Sequence, residues 1–326
     1  NDPLFGAQWY LQSAQPSATA AATAWDSGAG DNPTGSDGIV VAVLDTGVRF
    51  DHPDLKRASA AGRLLPGYDF VSGDGGGSFK TANDGDGRDA DPSDPGDWVT
   101  SAEATGGCTQ EDSSWHGTRV SGIIGALANN STGIAGSTWR PWLLPVRVLG
   151  KCGGYDSDII AGMRWAAGLS VGGIPANPYP ARIVNLSLGG TGACSAAYQT
   201  AIDEIVARGV VVIVSAGNES GAVASPANCR GAVSVVALRH VGTKVGFSNL
   251  GAISTLGAPG GNCVNTGAGQ PCLFSIDTTT NTGLTTPGAD AYTDQFNFNV
   301  GTSFSAPIVS GVAALMLSVN GNLSSA

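Results

Sequence analysis

The sequence is poor in charged side chains, and it contains no long uninterrupted apolar run. Charged residues make up only 13% of the 326 residues, and 26 acidic side chains outnumber 16 basic ones, which gives a formal net charge of −10. This acidic balance argues against nucleic acid or an anionic membrane as a partner. Because no run of about 18 apolar residues occurs, we also expect no segment that spans a membrane.

The sequence also lacks the cysteine and histidine spacing of a zinc site. Its six cysteines include no C-x-x-C pair, and no histidine stands at ligand spacing from any of them. An even number of cysteines in polar, loop-like sequence predicts disulfides and an oxidising compartment, so we expect a secreted, extracellular protein. The sequence alone leaves every connectivity open. The pairing that we favour is Cys108–Cys152, Cys194–Cys229 and Cys263–Cys272.

What the sequence does contain is a repeated alternation of apolar runs and helix-like segments. No linker, internal repeat or low-complexity segment interrupts this alternation. It predicts an α/β fold in three layers, with a mostly parallel central sheet, helices on both faces and long surface loops, in a single domain over residues 1–326. The runs that we interpret as strands are Ile39–Leu44, Leu143–Leu149, Arg182–Leu188, Val210–Ser215 and Val233–Leu238.

Three predicted element ends carry side chains that suit acyl transfer. Ser303 lies between a glycine turn and the apolar segment Ile308–Leu317, which we interpret as a buried helix. A hydroxyl at such a helix N-terminus lies beside free backbone N–H groups, which stabilise an oxyanion. Asp45 ends the first predicted strand, and His116 opens a segment of small residues. We therefore predict Ser303 as the nucleophile, His116 as the general base and Asp45 as the acid that orients the imidazole.

A fourth residue, Asn218, follows the predicted strand that ends at Ser215. Its amide is placed to donate to an oxyanion together with the backbone N–H of Ser303. Taken singly, the serine is an ordinary helix cap, the aspartate a cap or turn residue, and the histidine a structural one. Four such residues, each at the end of a predicted element, favour a catalytic interpretation.

The same segments resemble the active-site signatures of the subtilisin-like serine proteases. The resemblance lies in Val43–Gly47, His116–Thr118 and Gly301–Pro307, and in the order Asp, His, Ser along the chain. It implies a secreted serine endopeptidase of broad specificity, made as a zymogen, which hydrolyses proteins and peptides through an acyl-enzyme. We expect a monomer whose other partners are proteinaceous inhibitors or its own propeptide.

Two positions depart from the family pattern. Arg119 stands where many members have a second histidine, and Phe304-Ser305 stands where Met-Ala is common. Neither position carries the chemistry, so we expect altered packing around the site.

The resemblance also implies where a peptide substrate binds. The segment from Ser187 ends a predicted strand in glycines, so its backbone can pair with an extended peptide. In similar proteases this segment and the one that begins here at Ser215 form the walls of the pocket for the residue before the cut. Small side chains in both predict a preference for large hydrophobic or aromatic residues there. The predicted substrate-binding residues are Ser187, Leu188, Gly189, Ser215, Ala216 and Gly217.

The segment from Gly73 to Trp98 is rich in glycine and aspartate. Carboxylates this close repel one another unless a cation gathers them, and hard oxygen ligands in a flexible loop suit Ca²⁺. The alternative is an acidic loop that lies in solvent. We favour calcium because a long loop in a secreted protease needs tethering against self-digestion. The predicted ligands are Asp84, Asp86, Asp89, Asp91 and Asp94.

A second calcium site is implied by the resemblance alone. In relatives, the N-terminal segment, the segment corresponding to His52–Leu55 and the loop after the catalytic-histidine helix share one ion. The implied ligands are the side chains of Asp2, Asp54 and Asn130 and the carbonyls of Leu127, Thr132 and Ile134.

Two other classes of protein share parts of this pattern. Leu44–Gly47 also resembles the active-site turn of aspartic proteases, which need a second aspartate from another lobe. The candidate partner, Asp26-Ser27-Gly28, is too near in sequence to come from a second lobe. The other alternative is a non-catalytic, calcium-binding secreted scaffold, against which the complete set of catalytic residues argues.

Overall fold

The structure, a computed structural model, describes residues 1–26, 38–263, 267 and 269–324. Within them, seven strands form one parallel sheet in the order β2-β3-β1-β4-β5-β6-β7, and β8 pairs with β9 in an antiparallel ladder. The strands are β1 (Val40–Asp45), β2 (Tyr68–Asp69), β3 (Trp142–Arg147), β4 (Ile183–Leu186), β5 (Val211–Ser215), β6 (Ala232–Leu238), β7 (Leu256–Pro259), β8 (Thr279–Asn281) and β9 (Asp290–Tyr292).

Five of the sheet strands coincide with predicted apolar runs to within a few residues. The two edge strands, β2 and β7, were not predicted. β2 has only two residues, and β7 contains Gly257 and Pro259, so neither leaves a recognisable apolar run in the sequence.

Helices cover both faces of the sheet, which confirms the predicted three layers. They are α1 (Ala21–Asp26), α2 (His116–Gly125), α3 (Asp156–Ala166), α4 (Ala196–Val206) and α5 (Thr302–Val319), with 3₁₀ turns at Phe5–Ala7, Trp9–Leu11 and Ala58–Ala60. Successive strand side chains point to opposite faces. In β1, Leu44 therefore packs in the core beneath α3 and α4, whereas Val43 packs beneath α2 and α5.

Helix α5 is long and apolar enough, by length and composition, to cross a membrane, with a mean hydropathy of 1.6 over its 18 residues. The sequence prediction considered uninterrupted apolar runs, whereas this helix meets the criterion on its mean, because its scattered serines and glycines lower the mean hydropathy only a little. Some 56% of this helix is buried inside the protein. A core helix meets the same criterion.

The sheet order brings the ends of three strands together. β1, β4 and β5 are neighbours and parallel, so their carboxyl ends lie side by side. The chain turns to β3 on one side of β1 and to β4 on the other. A crevice at such a change of direction is the usual ligand-binding position in open α/β sheets.

Three disulfides join surface loops, and the favoured pairing is confirmed. The Cα atoms of the paired cysteines lie 5.3, 5.1 and 4.9 Å apart. The pairs are Cys108–Cys152, Cys194–Cys229 and Cys263–Cys272.

Candidate active site

Asp45 and His116 meet as the sequence predicts. Asp45 is the last residue of β1 and His116 the first of α2, and the imidazole Nδ1 lies 2.8 Å and 3.0 Å from the two carboxylate oxygens. The buried carboxylate also accepts the backbone N–H of Thr46 at 2.8 Å. An ionised carboxylate only accepts, so Nδ1 carries the hydrogen and Nε2 is left as the basic nitrogen.

The pKa of His116 reflects two opposing influences. Burial of the ring opposes its protonation, but the Asp45 carboxylate outweighs burial and raises the pKa above the ordinary value for histidine. Asp45 thus stabilises the imidazolium that forms when the ring accepts a proton.

Two glycines allow α2 to approach β1 this closely. A Cβ on Gly117 would lie 2.0 Å from the carbonyl oxygen of Gly47, and one on Gly47 would lie 2.6 Å from the carbonyl oxygen of Pro92. Gly47 also has φ of +101°, a backbone conformation that favours glycine. The glycines after Asp45 and His116 are therefore required by packing.

Ser303 lies in the first turn of α5 and lines the same cleft as His116, a cavity of about 580 Å³. Its hydroxyl donates to the carbonyl oxygen of Ser187 at 3.1 Å. In the described part of the chain it makes no hydrogen bond to the His116 imidazole. The structure thus brings His116 and Ser303 to one cleft, with Asp45 buried behind the imidazole, and the hydrogen bond between Ser303 and His116 is still open. Catalytic hydrogen bonds are often long without substrate and tighten in the Michaelis complex.

Asn218 has a fixed amide orientation. Its Oδ1 accepts the backbone N–H of Thr302 at 2.9 Å and the Thr302 hydroxyl at 3.0 Å. Because a backbone N–H can only donate, the oxygen must face Thr302 and the Nδ2 donor is directed away from it. That nitrogen lies 3.8 Å from the position of a Cβ on Gly301, two residues before the nucleophile. Sequence reasoning missed the role of Thr302, although it lies inside the Gly301–Ser303 motif.

A buried polar chain supports the nucleophile from beneath. Ser187 Oγ donates to the Ser303 carbonyl at 2.7 Å and accepts from Asn185 Nδ2 at 3.0 Å. Ser310, two helical turns along α5, donates to Asn185 Oδ1 at 2.8 Å. These bonds join the end of β4 to the start of α5.

The predicted substrate segments line the cleft, with one exception. Ala216 is fully buried and packs in the core beneath α3 and α4, so it lies behind the wall instead of facing the cleft. The cleft-lining members are Ser187, Leu188, Gly189, Ser215 and Gly217.

Several carboxylates of the acidic loop have partners within the protein. Within the described residues, no group of three or more His, Cys, Asp or Glu side chains could hold a metal ion. The calcium site predicted at Asp84, Asp86, Asp89, Asp91 and Asp94 remains a prediction. Asp84 pairs with the buried Arg147, and Asp91 accepts the Ser93 hydroxyl at 2.6 Å and lies 3.8 Å from Arg57. The protein itself supplies these cationic and hydrogen-bonding partners.

Two carboxylates of this loop instead hold the start of α2. Asp94 is fully buried and accepts the Thr46 hydroxyl at 2.7 Å, and that hydroxyl oxygen accepts the Gly117 N–H at 3.0 Å. Asp97 accepts the Ser114 N–H and hydroxyl, both at 2.6 Å, and Ser114 Oγ accepts the His116 N–H at 3.2 Å. Sequence reasoning missed these roles of Asp94 and Asp97.

The second set of predicted calcium ligands does come together. Asn130 Nδ2 donates to Asp54 Oδ1 at 2.7 Å, and the backbone N–H groups of Asn129 and Asn130 donate to Asp2 at 2.8 and 3.0 Å. Asp54 also accepts the Ile134 N–H and the Tyr292 hydroxyl, and its burial raises its pKa.

The remaining histidines have structural settings. His52 Nε2 lies 3.0 Å from the Ala291 carbonyl, its Nδ1 accepts the Asp54 N–H, and His240 stacks on Phe274 with ring centroids 3.5 Å apart. Of the alternative aspartic-protease pair, Asp26 ends α1, while Ser27 and Gly28 lie outside the described residues.

Known proteins are similar to this chain in sequence and in fold. The subtilase family model matches residues 36–326. The chain is 44% identical to an extracellular protease of Xanthomonas campestris pv. campestris, over 89% of this chain and 45% of that protein. It is 41% identical to an extracellular basic protease of Dichelobacter nodosus, over 98% of this chain and 48% of that protein. The chain thus spans about half the length of these curated relatives.

A solved protease structure from Pseudoalteromonas arctica superposes with a TM-score of 0.88 at 41% identity, covering 100% of this chain and 88% of that one. A cold-adapted subtilisin-like serine proteinase gives a TM-score of 0.58 at 28% identity, covering 89% and 79%. With the family model matching most of its length, the chain belongs to the subtilase family.

Proposed function

We propose that this chain is the catalytic domain of a secreted serine endopeptidase. The observation that carries the proposal is the hydrogen bond between Asp45 and His116. His116 lines the same cleft as Ser303. The names of the relatives, both extracellular proteases, support the same activity and compartment. The disulfides fit an oxidising environment.

The mechanism follows from the atoms that face the cleft. Ser303 Oγ attacks the peptide carbonyl while His116 Nε2 takes its proton, and Asp45 stabilises the imidazolium. The oxyanion accepts from Asn218 Nδ2 and the Ser303 N–H. The imidazolium then protonates the leaving amine, which departs and leaves an acyl-enzyme. Water, deprotonated by His116, releases the acid and restores the Ser303 hydroxyl.

A fluorophosphonate probe tests this mechanism directly. We expect one labelled site at Ser303 and loss of both labelling and casein hydrolysis in Ser303→Ala. Ser220→Ala is the matched control, because that exposed serine hydroxyl donates only to the Gly246 carbonyl. An unlabelled, properly folded wild-type protein would instead support a non-catalytic scaffold.

We further propose a preference for bulky apolar side chains at the residue before the cut. Gly189 and Gly217 add no side-chain bulk to the cleft walls, and Leu188 adds an apolar surface. A cleavage profile on denatured protein measures this preference. Cuts mainly after Lys or Arg would contradict it. The same cleft would accept an inhibitor loop or the end of a propeptide as a substrate-like strand.

A calcium ion at the N-terminal loop is also proposed. Asp2, Asp54 and Asn130 offer hard oxygen ligands in one place, which fits calcium chemistry, and the carbonyls of Leu127, Thr132 and Ile134 are the remaining candidates. A bound ion would tether the N-terminus to the loop after α2. The melting temperature of Ser303→Ala should fall on addition of EGTA, and Asp54→Asn should remove that response. An EGTA-insensitive melting temperature contradicts the site.

A further inference from the structure

Arg119 lies one helical turn after His116 on α2, and its side chain bridges two parts of the active site. Its Nε donates to Thr280 Oγ1 at 3.1 Å, and its Nη1 donates to Asn299 Oδ1 at 2.7 Å. Asn299 stands four residues before the nucleophile and is itself buried. The guanidinium thus links the start of the histidine helix to the segment that leads into α5.

The far end of this bridge is rigid. Asn299 Nδ2 donates to the Ile276 carbonyl at 3.2 Å and to the Thr293 hydroxyl at 3.0 Å, and its backbone N–H donates to Ser275 at 3.0 Å. On the α2 side, Thr278 Oγ1 donates to the Arg119 carbonyl at 2.8 Å. A planar guanidinium held at two of its nitrogens has little freedom to move.

The hydrogen-bond partners of this cation are uncharged. Across the part of the chain that the structure describes, Arg119 forms no ion pair with a carboxylate, unlike Arg147 and Arg88, which pair with aspartates. Thr280 and Asn299 satisfy its N–H groups but leave its charge in place. Residues three apart on a helix have neighbouring Cβ atoms on its surface, and the charge of Arg119 acts to lower the pKa of His116.

We propose that Arg119 is a positioning residue that ties the histidine helix to the nucleophile segment and keeps a positive charge near His116 without a salt bridge. The proposal depends on the function proposed above, because it assigns the residue a role in keeping the general base unprotonated. A neutral side chain could supply the bridge, but it could not supply the charge.

The charged groups that face His116 come from three places. Asp45 at the end of β1 and Asp97 in the acidic loop favour the imidazolium, whereas Arg119 on α2 opposes it. From α5 the ring meets Phe304, with centroids 5.6 Å apart, and neutral Ser303. Glu111, Asp156 and Glu219 also line the cleft. Among these groups, Arg119 is the cation.

The test measures the imidazole directly. Ser303→Ala prevents self-digestion, and ¹⁵N-histidine NMR then follows the titration of His116, with His52 and His240 as internal references. At close range in a partly buried site, removing one charge shifts a neighbouring pKa by about 0.5–1 unit. We therefore expect Arg119→Gln to raise the pKa of His116 by that amount and Arg119→Lys to leave it near the parent value. Asp97→Asn should move it in the opposite direction.

Controls separate charge from folding. Arg208→Gln removes an exposed arginine beyond α4 and should change nothing. If Arg119→Gln does not fold, Arg119→Met replaces it, because the side chain is long and uncharged at every pH. An unchanged His116 titration in the folded neutral variant would overturn the proposal.

Kinetics in the active protein distinguish this proposal from the proposed function. In Arg119→Gln, a higher pKa of His116 should move the acid limb of the kcat/KM pH profile to higher pH. In Arg119→Lys, kcat should fall while the acid limb stays at the same pH. If the parent and Arg119→Gln are both active and their acid limbs lie at the same pH, the charge role of Arg119 is refuted and the proposed function is not. A parent with no peptidase activity refutes the proposed function.

Discussion

The catalytic cleft and the acidic loop both depend on aspartates, yet the two regions use them differently. In the cleft, Asp45 meets an imidazole and a backbone N–H, partners that hold a charge needed for chemistry. In the loop, Asp84 pairs with Arg147 and Asp94 accepts a threonine hydroxyl, and both contacts hold segments of the chain together. The density of carboxylates is higher in the loop, but only the cleft leaves a basic nitrogen facing a substrate-sized cavity. Arrangement, not number, separates the two regions.

Among variants that keep Asp45, His116 and Ser303, the largest expected effect comes from the oxyanion donor in the cleft. Asn218→Ala should lower kcat by about 10²–10³-fold, the size known for this substitution in a subtilisin, with little change in KM. Steady-state kinetics on a peptide substrate measure it, and Asn218→Asp is the matched control that keeps the acceptor oxygen for Thr302 but lacks the donor. A parallel rise in KM with kcat unchanged would mean that Asn218 binds the ground state instead.

A smaller effect should follow from a change that loosens the orientation of the Asn218 amide but keeps its donor nitrogen. Thr302→Val deletes the hydroxyl that donates to Asn218 Oδ1 and accepts the Gly217 N–H. The backbone N–H of residue 302 still anchors the amide, so we expect a loss in kcat of up to about 10²-fold. Thr302→Ser keeps the hydroxyl and should restore most of the activity. If serine and valine variants behave alike, the hydroxyl does not orient the amide.

The sequence was sufficient to locate the groups to which we assign the proposed chemistry. Asp45 and Asn218 follow buried apolar strands, and His116 and Ser303 open helices, so element ends could be located and compared. Parallel strands then place such ends at one edge of the sheet.

The supporting contacts could not be predicted in the same way. Thr46 and Asp94 are 48 residues apart, and Arg147 meets Asp84 across 63 residues, with no periodic pattern to connect them. The partners of the acidic loop were equally hidden, because sequence counts the carboxylates without revealing that a distant arginine faces Asp84. The absence of a Ser303–His116 hydrogen bond depends on side-chain rotamers, which a sequence pattern does not predict.

Asp94 connects the two regions and should make stability depend on pH. Burial, followed by the charge of Asp97, raises the pKa of Asp94 to about 7. The folded carboxyl therefore binds its proton more readily than the unfolded one, so the free energy of unfolding should fall as pH rises from about 4 to about 7. One group contributes a slope of at most ~1.4 kcal/mol per pH unit.

Urea unfolding of Ser303→Ala at several pH values measures this slope. Adding Asp94→Asn, which keeps a hydrogen-bonding side chain but cannot ionise, should flatten the curve. Asp203→Asn, on the exposed face of α4, provides the comparison. An identical slope with and without the Asp94 carboxyl would show that other groups cause it.

The smallest effect is expected in the outer part of the loop. Repulsion from Asp89, then the slight burial of its own carboxyl and the charge of Asp84, raise the pKa of the exposed Asp86. Asp86→Asn should leave activity unchanged and raise the melting temperature slightly at low salt, an effect that 1 M salt screens. A clear fall in melting temperature that appears only with calcium present would support the predicted calcium site in this loop.

Helix α5 has a consequence for the life of the molecule before it matures. Its first turn holds Ser303, and its body packs with α2 and the sheet in the core. The three groups of the cleft come from residues 45, 116 and 303, so they are assembled only when distant parts of the chain have met. With the proposed peptidase activity, a partly folded copy would be susceptible to proteolysis but would have no assembled catalytic site of its own. Proteolysis of partly folded copies would then come from copies that are already folded.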